Sequence, residues 1–250
     1  MSDTGPSRTE TVSPPPLARV AVVLRHERIA HLGNLEPVLV AEGFDVQYVD
    51  VAEGDELPPN ASSADLLIVL GASAGVYEGE RYPFIAAELA FVRSRLDAKR
   101  PTLGVCFGSQ VMAASLGAVV APGDTVQVGF RAVEPTDAGA SSAVRHFSGV
   151  PVLQWHGDTF TLPEGATRLA GSGDYANEAF GIGSWAMAVQ FHPEITADMH
   201  EEWLESDEEY VRGAGYDQAL LRDDFGRLGP DMRRASESFL TEWLRGLPAS

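Results

Sequence analysis

Residues 101–110 read PTLGVCFGSQ, an apolar run that ends on a cysteine held between two glycines. Thr102 to Val105 shows no polar alternation, as expected of a strand covered on both faces. A helix is expected directly after Cys106, so these residues encode a strand, a sharp turn and a helix start. The same order recurs upstream. ARVAVVLRH (18–26) is an apolar run of strand length, and a helix is expected from Leu35 to Glu42, with Gly43 as its stop. FDVQYVDV (44–51) alternates as a strand, and ADLLIVLG (64–71) is a further buried strand. A helix from Pro83 to about Ala98 would place Ile85, Leu89, Val92 and Leu96 on one side, with Pro83 in its first turn. Strands alternating with helices imply an α/β fold with a mostly parallel sheet and helices on both faces. Ligands in such sheets bind beyond the carboxyl ends of the strands, where Cys106 stands.

From Thr125 to Gln190 the texture changes to short β-like segments: VQVGFRAVEP (126–135), PVLQWHG (151–157), TRLAGSG (167–173) and SWAMAVQF (184–191). These are expected to add antiparallel strands. Thr196 suits the N-cap of a helix reaching about Leu204. The last helix is expected from Pro230, with Met232, Ala235, Phe239 and Trp243 on one face and an end near Gly246. Residues 1–17 are polar and proline-rich and read as a mobile tail. The remainder, 18–246, reads as one domain with a helical extension from about residue 196.

Composition narrows the function. With 44% hydrophobic and 22% charged residues, the 250-residue chain is an ordinary soluble globular protein. A formal charge of −18 disfavours nucleic acid and anionic membranes as partners. The only lysine is Lys99, which rules out a lysine-bearing phosphate loop. The densest acidic stretch, Asp198 to Glu209, reads as a solvated helix face. No secretory signal or membrane-spanning run is legible, and a single cysteine forms no intrachain disulfide, so a cytoplasmic location is expected. His26, His31, His146 and His200 show no ligand spacing, and no metal or cofactor is called for.

Gly104-Val105-Cys106-Phe107-Gly108 has the form of a nucleophile elbow, whose flanking glycines relieve crowding in the turn. The first amides of the following helix favour a thiolate, and the Phe107 N–H would point to where an oxyanion forms. An inert buried thiol is the competing reading of these residues alone. A second segment bears on it. AVQFHPE (188–194) reads as a strand ending on His192, with Glu194 two residues on and projecting to the same side. Pro193 between them holds the backbone extended. A carboxylate so placed would keep the imidazole in the tautomer that accepts a thiol proton.

GVCFGSQ together with FHPE resembles the class I (triad) glutamine amidotransferases, particularly the stand-alone GMP-synthase-like subgroup. The likeness extends to VLRHERIAHLGNLEPVLVAEGF, VLGASAGVYEGERYPF and WHGDTFTLPEGATRLAGS, and so covers about residues 18 to 246. It implies a flavodoxin-like three-layer sandwich. It also implies Cys106 as nucleophile, His192 as acid/base, Glu194 as its orienter, and oxyanion amides from Ala72 and Phe107. Gly71, Gln110 and the loop residues Tyr175, Ala176 and Asn177 would bind substrate. His156 and Asp158 match a family pattern as supporting residues. Where the family reads Gly-Gly-Pro this chain has Gly71-Ala72-Ser73, so the oxyanion geometry depends on whether position 72 needs a positive φ.

The implied reaction is hydrolysis of the glutamine γ-carboxamide through a γ-glutamyl thioester, releasing ammonia and glutamate. No nucleotide-activating segment is legible after residue 195, so any ammonia acceptor is expected either on a separate synthase chain or not at all. A γ-glutamyl peptide or amide hydrolase using the same triad is the alternative, favoured by a pocket open beyond the γ-nitrogen. A non-enzymatic module would have no use for the triad residues.

Overall fold

The computed structural model describes residues 19–248; the tail expected at 1–17 lies outside them. In chain order the elements are β1 (Arg19–Arg25), α1 (Glu36–Ala41), β2 (Phe44–Asp50), β3 (Leu66–Val69), α2 (Phe84–Asp97), β4 (Thr102–Val105) and α3 (Phe107–Ser115). Then follow β5 (Val120–Arg131), β6 (Glu134–Pro135), α4 (Asp137–Ala140), β7 (Val152–Phe160), β8 (Thr167–Gly171), β9 (Ala179–Ile182) and β10 (Ala186–Val189). Three helices close the chain: α5 (Ala197–Ser206), α6 (Glu208–Gly213) and α7 (Gln218–Arg245).

The main sheet runs in the order β2-β1-β3-β4-β10-β9-β8-β6. Its first five strands are parallel and its last three are added antiparallel. β5 and β7 form a separate antiparallel ribbon. This is the α/β, flavodoxin-like three-layer arrangement, and its strand order reverses between β1 and β3. Along β1, Ala21 and Val23 join one buried apolar cluster while Val22 and Leu24 join the other, so both sheet faces are covered. That double burial explains why these strands show no polar alternation.

Several expectations are corrected. The buried stripe of α2 is Ile85, Glu88, Val92, Arg95 and Leu96, with Leu89 only partly covered. Two charged side chains thus lie where an apolar stripe was expected. The first helix starts as a 3-10 turn at Gly33–Leu35, and α1 proper begins at Glu36. The last helix begins twelve residues before Pro230, capped by the Asp217 carboxylate, which accepts from the Ala219 and Leu220 amides. Pro230 sits inside it, exposed, and the carbonyl its ring crowds belongs to Gly226, which is also exposed. Thr196 caps α5 by accepting from the Met199 amide, as expected.

Candidate active site

The carboxyl ends of four adjacent strands meet at one cavity. β1 runs into His26 and Glu27, β3 into Gly71, β4 into Cys106, and β10 into the segment bearing His192. The cavity has a volume of about 500 Å³ and is lined by Gly71, Ala72, Cys106, Phe107, Gln110 and His192, among others.

Cys106 occupies the turn between β4 and α3 at φ 51° and ψ −109°. Among the described residues only Lys99 shares a positive φ without being glycine. A non-glycine residue held there costs on the order of 1–3 kcal/mol, offset by the surrounding packing. The flanking glycines are sterically required. A Cβ on Gly108 would lie 2.0 Å from the Val69 carbonyl oxygen, and one on Gly104 would lie 2.6 Å from that of Gly108. Only bare backbone lets α3 approach β3 and β4 so closely. The turn is fixed further by the Cys106 amide donating to the Val189 carbonyl (2.9 Å) and the Ser109 hydroxyl donating to the Cys106 carbonyl (2.6 Å).

His192 reaches the site differently from the expectation. β10 stops at Val189 and the chain bends, so the His192 amide donates to the Leu153 carbonyl of β7 (2.9 Å) rather than within the sheet. Pro193 and Glu194 form a turn, not an extended strand end. The side chains still meet: His192 Nδ1 donates to Glu194 Oε1 at 2.6 Å, both residues being buried. The backbone after His192 is clasped from outside. The Asn34 amide donates to the Glu194 carbonyl at 2.8 Å, and a Cβ on Gly33 would strike that same oxygen at 2.1 Å. Burial disfavours the charged form of His192, but the charges of Glu194 and Cys106 and the Glu194 hydrogen bond outweigh it and raise its pKa. His192 Nε2 is buried and has no well-aligned hydrogen-bond partner among the described residues, while the ring lines the cavity with Cys106. The Trp203 indole packs edge-on to the imidazole, with centroids 4.8 Å apart.

Gly71 lies between the two groups: a Cβ there would be 3.2 Å from His192 Cε1 and 3.8 Å from Cys106 Cβ. Ala72 has no positive φ, so alanine at this position imposes no backbone strain. Beneath this loop lies a pair that sequence reading did not assign. His26 Nδ1 donates to the Gly71 carbonyl (3.1 Å), and its Nε2 meets the Glu88 carboxylate (3.0 Å), both side chains being buried. Gln190 was also missed: its Nε2 donates to Cys106 Sγ at 3.6 Å while its Oε1 accepts from Gln110 Nε2 at 3.2 Å. The available signal for Glu88 was a carboxylate three residues after Ile85 and four before Val92, on the buried side of α2.

Other expected residues fall in two groups. Gly71, Ala72, Phe107, Gln110, His156 and Asp158 line the cavity. Tyr175, Ala176 and Asn177 do not line it. The Tyr175 hydroxyl bonds to the Thr125 carbonyl and its ring packs on His156 (5.3 Å), while Asn177 joins Arg168 to the Phe160 carbonyl. Burial drives the His156 pKa down to about 4, so that ring is neutral near pH 7. The stretch expected as a solvated face, Asp198 to Glu209, buries Met199, His200, Trp203 and Leu204, and its Trp203 and Asp207 line the cavity, joined by Tyr210 just beyond.

The family model for class I glutamine amidotransferase matches residues 31–208. The chain belongs to that family. It is 29% identical to the glutamine amidotransferase-like protein YfeJ of Salmonella typhimurium over 194 residues, which span 76% of this chain and 81% of that one. It is 35% identical over 153 residues to the glutamine-hydrolysing GMP synthase of Porphyromonas gingivalis, spanning 59% of this chain but only 28% of the synthase. A solved glutamine amidotransferase from Thermotoga maritima matches with a TM-score of 0.82 and 31% identity, covering 91% of this chain and 98% of that one. Among the described residues no helix is long and apolar enough to cross a membrane.

Proposed function

We propose that the protein hydrolyses the γ-carboxamide of glutamine through a γ-glutamyl thioester on Cys106. The observation that carries this reading is the unfinished hydrogen bonding of His192. One ring nitrogen is tied to Glu194, and the other is buried without a well-aligned partner in the cavity that also holds the strained elbow cysteine. The sulfur attacks the carboxamide carbon and a C–S bond forms. Amides of Phe107 and Ala72 stabilise the oxyanion. The C–N bond breaks as the His192 imidazolium gives its proton to the departing ammonia. Water, deprotonated by the same imidazole, then displaces the sulfur and yields glutamate. Glu194 keeps the ring oriented in both halves, and Gln190 and Gln110 hold polar contacts beside the sulfur. Tyr175 acts from behind the cavity wall, its ring packed on His156. The ammonia passes to solvent or to a separate synthase chain, in a reducing cytoplasm that keeps the thiol free.

A second reading, hydrolysis of larger γ-glutamyl amides, has its own support. A cavity of about 500 Å³ is of the size that takes drug-sized ligands and exceeds what one carboxamide side chain needs. Glutamate release from glutamine and from γ-glutamyl amides by the purified full chain tests both. Cys106→Ala is expected to abolish release while the melting temperature stays within a few degrees. Retained release in that variant would sink the nucleophile assignment.

A further inference from the structure

The outer part of the cavity carries charge of one sign. Four carboxylates line it, Glu27, Glu78, Asp158 and Asp207, all half-buried. Among the described residues, none of those lining it is a lysine or arginine. His156 is held neutral by burial, and the His192 imidazolium is matched by Glu194. Of the four acids only Glu78 has a cationic partner among the described residues, the exposed Arg81 at 3.6 Å. The others are anchored by neutral donors. Glu27 accepts from the Ser73 amide (2.7 Å), Asp207 from Trp155 Nε1 (2.9 Å) and Asp158 from the Tyr77 hydroxyl (3.3 Å). These bonds fix where the charges sit without neutralising them.

The acids form two pairs. Burial raises the pKa of Asp207, its Trp155 bond opposes that, and the nearby Glu27 charge raises it further. Asp158 is raised in the same way by burial, against Tyr77, with Glu78 adding to the rise. Each pair is therefore a site of like-charge repulsion, countered only at Glu78 by the exposed Arg81, that a further cation would relieve. The four do not converge on one point. Among the described residues no three His, Cys, Asp or Glu side chains are gathered as metal ligands would be, so the charge suits a chain of separated cations rather than one ion. Aromatic rings stand between the carboxylates and the reacting groups. Trp155 and Trp203 pack at 5.6 Å, Trp203 abuts His192, and Tyr77 and Tyr210 complete the wall. Tyr210 lies close enough to Cys106, Asp158 and Asp207 for their charges to add to the burial that raises its pKa. Carboxylates backed by aromatic faces are the chemistry that holds alkylammonium groups.

We infer that the preferred substrate is a γ-glutamyl amide whose leaving amine carries at least one further ammonium group, a γ-glutamyl diamine or polyamine. The inference rests on the hydrolase reading above and names its substrate class. The step is unchanged in its balance. Cys106 sulfur bonds to the γ-carbon, the C–N bond to the diamine breaks, the His192 proton goes to the departing nitrogen, and water later releases glutamate. Glu27 with Asp207, or Asp158 with Glu78, holds the distal ammonium.

The test uses the purified full chain and four substrates: glutamine, the γ-glutamyl amide of 1,4-diaminobutane, its uncharged pentylamide counterpart, and its anionic 4-aminobutyrate counterpart. Glutamate release gives kcat/KM for each. The diamine amide is expected to exceed the pentylamide by about 10-fold and the anionic amide by about 100-fold, each tenfold step being one modest ionic contact. The diamine-to-pentylamide ratio should fall towards one in Glu27→Gln/Asp207→Asn, and fall as salt is raised towards about 0.5 M. Melting curves check that the double variant is folded, and Asp158→Asn provides a second, independent reading of the same ratio. Equal turnover of charged and uncharged amides, or a ratio that none of these changes moves, overturns the inference while glutamine turnover leaves the hydrolase reading standing. Silence on all four substrates overturns that reading and the inference together.

Discussion

Two buried imidazole–carboxylate pairs lie within one cavity wall of each other and do opposite things. His26 meets Glu88 at 3.0 Å and spends its other nitrogen on the Gly71 carbonyl. His192 meets Glu194 at 2.6 Å and leaves its other nitrogen without an aligned partner. Buried polar atoms are nearly always paired, so a pair whose contacts are complete holds structure, and one left incomplete marks where a reacting molecule finishes the set. In the proposed mechanism the same two residue types serve once as a brace for the Gly71 loop and once as a proton relay.

Breaking the open pair should have the larger catalytic effect. Glu194→Gln is expected to lower kcat for glutamine by about 10³–10⁴-fold with little change in KM, as loss of an orienting carboxylate does elsewhere; stopped or continuous glutamate assays read it directly. A fall under tenfold would mean that His192 does not depend on its partner. Breaking the closed pair should act mostly on the fold. His26→Ala leaves the buried Glu88 carboxylate without its partner, which is expected to cost about 3 kcal/mol in urea unfolding. Freeing the Gly71 carbonyl should also slow kcat by about 10-fold through misplacement of the adjacent peptide. Restoring a donor in His26→Asn should recover part of the catalytic loss if the contact to Gly71 is what matters.

The smallest expected effect is a pH dependence of opposite sign in two histidines. His192 has a raised pKa in the folded state, so its contribution to stability is fully present below pH 6.5 and is lost as pH rises above that value. His200 is lowered to about 4, chiefly by burial, so the unfolded chain takes up a proton below pH 6.5 that the folded state refuses until about pH 4. Stability from that group is therefore lost on acidification. His200→Phe, which keeps a ring stacked on Phe225, should flatten the acid limb between pH 6.5 and 4, and Glu194→Gln should flatten the alkaline one. Denaturant midpoints across pH 4 to 9 check both.

Much of the sheet was legible because burial on both faces writes itself as unbroken apolar runs, as in Leu66–Val69 and Thr102–Val105. The elbow was legible because its glycines answer to local crowding between Gly104, Gly108 and Val69. What escaped depends on contacts distant in sequence. Glu88 lies on the covered side of α2 because His26, sixty-two residues earlier, gives it a partner there. β9, Ala-Phe-Gly-Ile, follows the polar loop Asp174–Glu178 and carries a glycine, and its pairing with β8 and β10 is what makes it a strand. Pro230 stopped the sequence reading of α7 because proline breaks helices on average. Here an exposed turn beside Gly226 accommodates it.

Trp203 in α5, Tyr210 in α6 and Asp207 in the turn between them all follow the last strand of the main sheet, yet they form part of the wall facing Cys106. Part of the wall that meets an incoming molecule is thus supplied by a length of polypeptide separate from the one that carries the thiol. A descendant that exchanged this short helical cap would reshape that share of the wall and leave the elbow and its strand ends as they are.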